Sequence, residues 1–239
     1  MISTETILER GLLPDHLIRL GIRRLLRQRL RRLGDGDPER QQQLLTAWLA
    51  ELENAPVAIE QDAANDQHYE VPAAFYELVL GPHLKYSCGL WSRPDSTLAQ
   101  AEAEMLELSC RRNLLRDGMR VLDLGCGWGS LSLWLAEHFP RCRITAVSNS
   151  HSQRAHIERQ RDGRGFANLE VVTADAATFE PGETFDRIFS VEMFEHLRNW
   201  REMFRRVGRW LAPDGRFFLH VFTHRAVGYP FTVDGAGDW

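Results

Sequence analysis

The amino-acid sequence predicts an α/β fold with a doubly wound, mostly parallel sheet, and three observations support this prediction. From about residue 120 onward, short apolar segments of strand character alternate with helical segments, as in parallel strands joined by right-handed helical crossovers. A glycine-rich turn, Gly125 to Gly129, follows the first of these strands. Polar residues follow the later strands, at the edge where such sheets bind ligands. The expected architecture is a Rossmann-like domain.

The first 60 residues are predicted to form a helical extension before a main domain of residues 61–239. Asp15 is the expected N-cap of a helix that runs to about Leu33, and a second helix is expected from Pro38 to about Glu53. The first helix carries seven arginines: Arg19, Arg23, Arg24, Arg27, Arg29, Arg31 and Arg32. Such a helix either packs on the main domain with its arginines solvated or lies on an anionic membrane surface. We favour packing, and peripheral membrane contact is the alternative.

The remaining elements follow in order along the chain. A helix is expected from Ser96 or Thr97 to about Leu115. The predicted strands are Arg120–Leu124, Arg143–Val147, Leu169–Val172, Phe185–Val191 and Arg216–Phe222. The predicted helices between them are Ser130–His138, Ser152–Arg161 and Trp200–Leu211.

Composition and charge count against several classes of protein. The net charge of −4 does not favour nucleic acid as a partner. The four cysteines lack the paired spacing and histidine partners of a zinc site, so we expect no metal and a reduced, cytoplasmic protein. The sequence has no apolar run long enough to span a bilayer.

The glycine-rich turn predicts a ligand site after the first strand. Gly125 and Gly127 permit positive φ and let the backbone approach a ligand closely. Taken alone, these glycines fit a tight turn without a ligand equally well. The GxGxG spacing differs from the GxGxxG of dinucleotide sites, Asp123 lies inside the strand, and the second strand ends in Ser148-Asn149-Ser150. A dinucleotide is therefore not the expected ligand.

The whole set of strand ends resembles class I S-adenosylmethionine-dependent methyltransferases. Asp175 and Ala176 follow the third strand, and Ser190 lies near the end of the fourth. The resemblance implies that S-adenosylmethionine is the cofactor and that the glycine turn faces its methionine part. It also implies that Asp175 meets the adenine amino group.

Five motifs in order resemble the cyclopropane-fatty-acid synthase superfamily. They are His68-Tyr69-Glu70-Val71-Pro72, Tyr86-Ser87-Cys88, Gly125 to Gly129, Ser150-His151-Ser152-Gln153 and Phe194-Glu195-His196. This superfamily includes cyclopropane synthases that modify lipids and coclaurine N-methyltransferase-like enzymes that act on cyclic amines. The resemblance implies that Tyr86 and Ser87 contact the methionine end and that Asn149 and Gln153 bind the ribose hydroxyls. The expected cofactor-binding residues are Tyr86, Ser87, Asp123, Gly125, Gly127, Asn149, Gln153, Asp175, Ala176 and Ser190.

The segment from Glu192 to His196 is predicted to be catalytic. An alkylamine with a pKa of ~10 must lose its proton before it accepts a methyl group, which costs roughly 4 kcal/mol at neutral pH. Two carboxylates and an imidazole can orient the amine and accept that proton, and a helical turn here would place Glu192 and Glu195 on one side. A polar helix start without function is the alternative. The coclaurine-like branch has a matching ExxEH, so the resemblance implies that Glu192, Glu195 and His196 serve a small-molecule amine acceptor.

A lipid acceptor is the second hypothesis. Cyclopropane synthases usually have glycine at the position of Glu192, and they hold a bicarbonate base at positions matching Cys88, Glu195 and His220. All three residues are present here, but Glu192 favours the amine. Under the amine hypothesis we expect Cys88 to be a small buried hydrophobic residue. A non-catalytic cofactor-binding or assembly subunit is the third hypothesis.

The chain stops at Trp239, soon after the predicted fifth strand. Class I methyltransferases normally continue with a helix and an antiparallel hairpin, so the resemblance implies that C-terminal strands are missing. The fifth strand would then form an exposed apolar edge with Phe217, Phe218, Leu219, Val221 and Phe222. We expect this edge to cause self-association or the chain to bind cofactor weakly.

Overall fold

The structure is a computed structural model that describes residues 4–58 and 72–224. The chain divides into two compact units, one containing the N-terminal helices and the other spanning Asn54–Phe222. The helices of the first unit are α1 (Thr4–Glu9), α2 (Asp15–Arg32) and α3 (Pro38–Asn54). Both predicted N-terminal helices are confirmed. Within the described residues, no helix is long and apolar enough to cross a bilayer.

The predicted N-cap at Asp15 is wrong by one residue. Pro14 occupies the cap position of α2, and it makes no side-chain cap hydrogen bond. Asp15 is instead the first helical residue, where a carboxylate still interacts favourably with the positive end of the helix dipole.

A five-stranded sheet forms the centre of the second unit, with the order β3-β2-β1-β4-β5. Its strands, all paired in parallel, are β1 (Arg120–Leu124), β2 (Arg143–Ser148), β3 (Leu169–Thr173), β4 (Phe185–Val191) and β5 (Leu211–His220). The helices are α4 (Ala73–Val79), α5 (Leu98–Arg112), α6 (Ser130–His138), α7 (His151–Arg164) and α8 (Trp200–Trp210). The strand order reverses between β1 and β4, which is where sheets of this kind bind ligands. The predicted doubly wound α/β fold is confirmed.

Two apolar layers cover the sheet because side chains alternate along β1. Val121 belongs to the layer that includes Leu135 and Ile157 from α6 and α7. Leu122 belongs to the opposite layer, which includes Met203 from α8. Successive strand residues point to opposite faces, so each face of β1 is buried by a different set of helices. Full burial of one such side chain contributes about 1.5–3 kcal/mol.

The fifth strand begins five residues earlier than predicted. Leu211 already pairs with Phe185, and a register shift follows before Arg216 pairs with Arg187. Asp214 adopts a left-handed φ of 62° within this shift. An irregularity of this kind bends the strand locally and breaks the apolar pattern from which strands are predicted.

Helix α5 ends three residues earlier than predicted, whereas its predicted start is confirmed. Thr97 forms a capping box with Gln100. At the other end, the Asn113 side chain donates a hydrogen bond to the carbonyl of Ile188 at 3.1 Å, and Leu114 takes a left-handed φ of 49°. The hydrogen bond from Asn113 to β4 therefore forms where the predicted helix would have continued for another turn.

Candidate active site

The glycine turn after β1 has one side open. Gly125 has a φ of 84°, and a Cβ there would meet Met193 Cγ at 2.6 Å. A Cβ on Gly129 would meet Ile157 Cγ1 at 2.6 Å. A Cβ on Gly127, whose φ is 53°, would meet no atom of the described residues within 4 Å. Packing therefore requires the outer glycines, whereas Gly127 borders space that a ligand can fill.

Asp123 is a buried carboxylate beneath this turn. It is 2% exposed, and Ser132 Oγ donates a hydrogen bond to its Oδ2 at 2.6 Å. Burial raises the pKa of Asp123 to about 6, against the opposing effects of the Ser132 hydrogen bond and the charge of Lys85. Asp123, which was predicted to bind cofactor, is thus buried and hydrogen-bonded to another residue of the chain.

The segment that follows β2 and begins α7 carries one accessible and one buried amide. Asn149 is exposed. Gln153 is 2% exposed, and its Oε1 accepts a hydrogen bond from Ser148 Oγ at 2.6 Å. Ser150 Oγ caps α7 by accepting from the backbone N–H of Gln153. Asn149 is therefore the predicted ribose-binding side chain that faces solvent.

Asp175 organises the turn after β3. Its Oδ1 accepts a hydrogen bond from the backbone N–H of Ala177 at 2.7 Å. Its carbonyl accepts one from the N–H of Phe179 at 2.7 Å. This Asx-turn fixes the backbone of the segment predicted to hold adenine.

The same turn is fastened to α8 by a residue that the sequence analysis missed. The buried guanidinium of Arg206 donates to the carbonyls of Ala176 and Phe179 at 3.4 and 3.1 Å, and it also bonds to the carbonyl of Ala177. It forms an ion pair with Glu180 at 2.8 Å. Sequence alone gave no reason to separate Arg206 from the other arginines of its helix.

At the end of β4, Ser190 and Glu192 are both unusual. Ser190 is fully buried, and its hydroxyl has no hydrogen-bond partner among the described residues. Glu192 adopts a left-handed φ of 54°, which costs a non-glycine residue about 1–3 kcal/mol. Its N–H donates to the carbonyl of His220 at 2.8 Å, which holds this conformation.

The helical arrangement predicted for Glu192 to His196 is wrong. A 3-10 helix covers only Phe194–His196, and Glu192 precedes it in the left-handed region. The backbone bond from Glu192 to β5 competes with a helical turn. Glu195 instead turns one oxygen to the N–H of Phe222 at 2.8 Å, while its Oε2 is buried without a hydrogen-bond partner in the described chain.

His220, rather than His196, is the imidazole that faces Glu192. His220 Nε2 lies 3.5 Å from Glu192 Oε1 and 3.5 Å from Cys88 Sγ. His196 is exposed at the end of the 3-10 helix. The expectation that Cys88 is a buried hydrophobic residue is also wrong, because its side chain is exposed and contacts His220.

Burial and neighbouring charges shift the pKa values of Glu192 and His220 in opposite directions. Burial and the neighbouring Glu195 charge raise the pKa of Glu192, and the charge of Lys85 opposes them. Burial and the charge of Lys85 lower the pKa of His220, and Glu195 opposes them. At neutral pH the imidazole is therefore uncharged and can accept a proton.

Lys85 is the second residue that the sequence analysis missed. It is 6% exposed, and its ammonium donates to Ser87 Oγ. Burial lowers the pKa of Lys85, against the charges of Glu192 and other nearby carboxylates. One feature of the sequence could have identified it: Lys85 is the single lysine among 29 lysines and arginines.

Tyr86 and Ser87 differ in their exposure to solvent. Tyr86 is 55% exposed and packs edge-on against Tyr76, with ring centroids 5.1 Å apart. Ser87 is half-buried beside Lys85.

His68–Val71 of the first motif lies outside the described residues. No group of three His, Cys, Asp or Glu side chains within the described ranges is placed to hold a metal ion.

Comparison with known proteins identifies the relatives of this chain. Residues 58–232 match the family model described as mycolic acid cyclopropane synthetase. The chain is 39% identical over 232 residues to (S)-coclaurine N-methyltransferase of Thalictrum flavum subsp. glaucum, covering 97% of this chain and 64% of the relative. It is 34% identical over 157 residues to cyclopropane-fatty-acyl-phospholipid synthase of Escherichia coli (strain K12), covering 65% of this chain and 39% of that protein.

A solved structure supports the same relationship. The crystal structure of coclaurine N-methyltransferase bound to N-methylheliamine and SAH matches with a TM-score of 0.90 at 38% identity. The match covers 98% of this chain and 67% of that chain. This chain spans 64% of the length of the Thalictrum enzyme. The family predicted from the five motifs is confirmed: the chain belongs to the mycolic acid cyclopropane synthetase family.

Proposed function

We propose that the chain is an S-adenosylmethionine-dependent methyltransferase that transfers a methyl group to the nitrogen of a small cyclic or secondary amine. The observation that carries this proposal is the half-buried carboxylate of Glu192, 3.5 Å from the imidazole of His220 at the end of β4. The next residue, Met193, packs against Gly125 of the glycine turn, which supports a shared site for donor and acceptor. The N-methyltransferases among the relatives support the same acceptor class.

The residues at the strand ends fit the proposed cofactor. Gly127 borders open space, Asn149 is exposed, and the buried hydroxyl of Ser190 has no partner among the described residues. In this proposal Asn149 binds the ribose, Asp175 and Ala176 hold the adenine, and Tyr86 and Ser87 contact the methionine end. When bound, S-adenosylmethionine supplies a methyl group on a positively charged sulfur.

The chain's own task is to bind the amine and remove its proton. A carboxylate at Glu192 attracts the protonated amine and orients it. The uncharged imidazole of His220 accepts the proton, which leaves a lone pair on nitrogen. Glu195 braces the site through the N–H of Phe222. His196 remains a predicted catalytic residue, to be tested separately from His220.

Initial rates with matched acceptors test the amine proposal. We expect formation of the demethylated cofactor to depend on a cyclic secondary amine and to fall to background with the carbocycle of the same size that lacks nitrogen. Equal rates with both compounds would contradict amine methylation. A cofactor-saturated, soluble chain that turns over no acceptor would favour the non-catalytic subunit.

A lipid acceptor is the second candidate because one specific contact favours it. Cys88 Sγ lies 3.5 Å from His220 Nε2, so two of the three positions that match the bicarbonate site of cyclopropane synthases lie together. Phospholipid vesicles with and without added bicarbonate distinguish this candidate. Bicarbonate-dependent modification of vesicle lipid supports it, and its absence alongside amine methylation excludes it.

Helix α2 supports a proposal of peripheral membrane contact. Its apolar side chains Leu20, Leu25 and Leu26 are 60%, 57% and 57% exposed, and none of the described residues of α2 is buried. Exposed leucines beside seven arginines are typical of helices that lie on anionic lipid. We expect the chain to sediment with phosphatidylglycerol vesicles and not with phosphatidylcholine vesicles. Equal sedimentation with both would contradict the proposal.

We also propose that the chain self-associates and that it is located in the cytoplasm. β5 is an outer strand of the described sheet, which supports pairing of its backbone with another chain. The side chains of Phe217 and Phe218 are not exposed, because they pack against the two apolar layers. Sedimentation velocity over a hundredfold range of concentration tests association, and a monomer throughout would contradict it.

A further inference from the structure

The segment between α4 and α5 contains the loop of residues 81–90, which carries two residues of the proposed cofactor site. Tyr86 packs edge-on against Tyr76, with ring centroids 5.1 Å apart. Ser87 follows it and is half-buried. In the proposed function both residues contact the methionine end of the cofactor, so the conformation of this loop decides whether they can do so.

A buried carboxylate on α5 binds the first turn of this loop. Glu102 is 2% exposed. Its Oε1 accepts a hydrogen bond from the backbone N–H of Gly81 at 3.0 Å, and its Oε2 accepts one from the N–H of His83 at 3.0 Å. Pro82 lies between them and has no N–H. Glu102 therefore binds both N–H groups that residues 81–83 offer, through hydrogen bonds that a charged acceptor strengthens.

The turn that Glu102 binds has an unfavourable conformation. Leu84 adopts a left-handed φ of 47°, and its N–H donates to the carbonyl of Gly81 at 2.9 Å. A left-handed φ is costly for a residue with a Cβ and persists where the surroundings fix it. A Cβ on Gly81 would meet Glu102 Oε2 at 2.5 Å, so the absence of a side chain lets the loop backbone approach the carboxylate this closely.

The other end of the loop is attached to the neighbouring residue of α5. The N–H of Leu90 donates to the carbonyl of Ala101 at 2.8 Å. A Cβ on Gly89 would meet Ala101 Cβ at 3.1 Å. Two consecutive residues of α5 thus hold both ends of the loop. The attachment at Leu90 uses backbone atoms alone, whereas the first attachment depends on the side chain of Glu102.

We propose that Glu102 is a positioning residue for the cofactor, because it fixes the loop backbone from which Tyr86 and Ser87 contact the methionine end. This inference rests on the proposed function, which places the cofactor beside those two residues. A preorganised loop binds more tightly because it loses less conformational freedom when the ligand arrives. Loss of the Glu102 carboxylate should therefore weaken cofactor binding, while bound cofactor should restore the loop and leave the chemical step nearly unchanged at saturation.

Amide hydrogen exchange tests the attachment without any activity. Exchange at Gly81, His83 and Leu90 is measured by NMR. The parent chain is compared with Glu102→Ala and with Glu107→Ala, whose side chain is exposed on the same helix. We expect the amides of Gly81 and His83 to exchange at least about tenfold faster in Glu102→Ala, with parent-like exchange at Leu90 and throughout Glu107→Ala. Unchanged exchange at Gly81 and His83, or equal acceleration at Leu90, overturns the proposal.

Calorimetric titration with S-adenosylmethionine tests the positioning role. We expect the dissociation constant to rise about tenfold in Glu102→Ala and to stay at the parent's value in Glu107→Ala. With an amine that is methylated, KM for cofactor should rise by the same factor while kcat stays near that of the parent. A parent and a Glu102→Ala variant that bind cofactor equally well contradict this inference alone. A parent that binds no cofactor contradicts the proposed function, and this inference with it.

Gly81→Ala tests the same contact from its other side. The added Cβ displaces the carboxylate, so we expect a rise in the dissociation constant similar to that in Glu102→Ala. In the double variant the missing carboxylate leaves room for the Cβ, so the two effects should not add. Fully additive effects would contradict a shared contact.

Glu102→Gln decides the proposal if Glu102→Ala does not fold. The amide keeps one acceptor oxygen and turns an NH2 group toward the second backbone N–H. We expect faster exchange at Gly81 or His83 and a dissociation constant about threefold above that of the parent. Parent-like exchange and parent-like affinity in Glu102→Gln would overturn the proposal.

Discussion

His220 Nε2 lies 3.5 Å from Glu192 Oε1, and the backbone N–H of Glu192 donates to the carbonyl of His220 at 2.8 Å. The pairing of β4 with β5 produces both contacts, since Val191 is opposite His220 in the register. A sheet register therefore fixes the geometry of the proposed proton acceptor, more rigidly than a loop would.

Loss of the Glu192 charge should strongly slow methyl transfer while leaving cofactor binding intact. We expect Glu192→Gln to lower kcat/KM for an amine by roughly 100-fold or more, because the neutral amide cannot attract and orient the ammonium as a carboxylate does. Glu192→Gly should behave similarly. Steady-state kinetics and calorimetric titration with cofactor measure the two effects. Glu170→Gln, on an exposed residue of β3, is the matched control, and parent-like rates in Glu192→Gln would remove Glu192 from the mechanism.

Two histidine variants separate His196, the base predicted from the sequence, from His220, the imidazole that lies beside Glu192. His220→Asn removes the imidazole that faces Glu192, so we expect a loss of roughly 100-fold or more in kcat. His196→Asn changes an exposed side chain and should cost less than about threefold if His220 is the acceptor of the proton. The reverse order of losses would restore the prediction made from the ExxEH pattern.

Arg206 is expected to control cofactor affinity without contacting the acceptor. Arg206→Met removes the donors that fasten the carbonyls of Ala176 and Phe179, so the adenine turn loosens. We expect the KM for cofactor to rise about tenfold while kcat at saturation stays near that of the parent. Arg206→Lys should restore part of the affinity. Arg205→Met, on the neighbouring exposed residue, is the control, and a fall in kcat with unchanged KM would contradict a role in the adenine turn.

Asp123 should lower stability at neutral pH. Burial raises its pKa to about 6 from 3.8, so the folded state binds the proton more tightly than the unfolded state. The unfavourable contribution is absent below about pH 3.8, grows between pH 3.8 and about 6, and is complete above that. From the pKa difference it reaches at most about 3 kcal/mol.

Asp123→Asn tests this by thermal unfolding at two pH values. We expect the variant to gain stability over the parent at pH 7.5 and to gain little or none at pH 4. An equal difference at both pH values would show that the carboxylate is not buried in its charged form. Cofactor affinity should fall in the variant if the charge of Asp123 serves cofactor binding.

The sequence predicts the strand ends and turns around the proposed cofactor well, because their determinants are local. The strand ending at Leu124, the glycine turn and the cap at Thr97 depend on residues close to one another along the chain, and all appear where they were expected. Asn149 and Asp175 follow their strands for the same reason. Their roles toward the cofactor stay predictions.

The cluster of Cys88, Glu192 and His220 is harder to predict, because distant segments of the chain build it. Cys88 and His220 are in contact although 132 residues separate them along the chain. Their contact depends on the register of β5, and the irregularity near the start of β5 breaks the apolar pattern from which the strand would be predicted. The left-handed φ of Glu192 depends on a backbone bond to β5 rather than on its own side chain. Lys85 lacks a motif of its own, and only its rarity in the composition sets it apart.

Identification of the labelled product decides between amine and lipid methylation. The full chain is incubated with S-adenosylmethionine carrying an isotopically labelled methyl group, together with a mixture of cyclic amines and phospholipid vesicles, and products are identified by mass spectrometry. We expect label on the nitrogen of an amine with the parent chain and none with Glu192→Gln. Label in a methylated or cyclopropanated acyl chain, with no labelled amine, would contradict it.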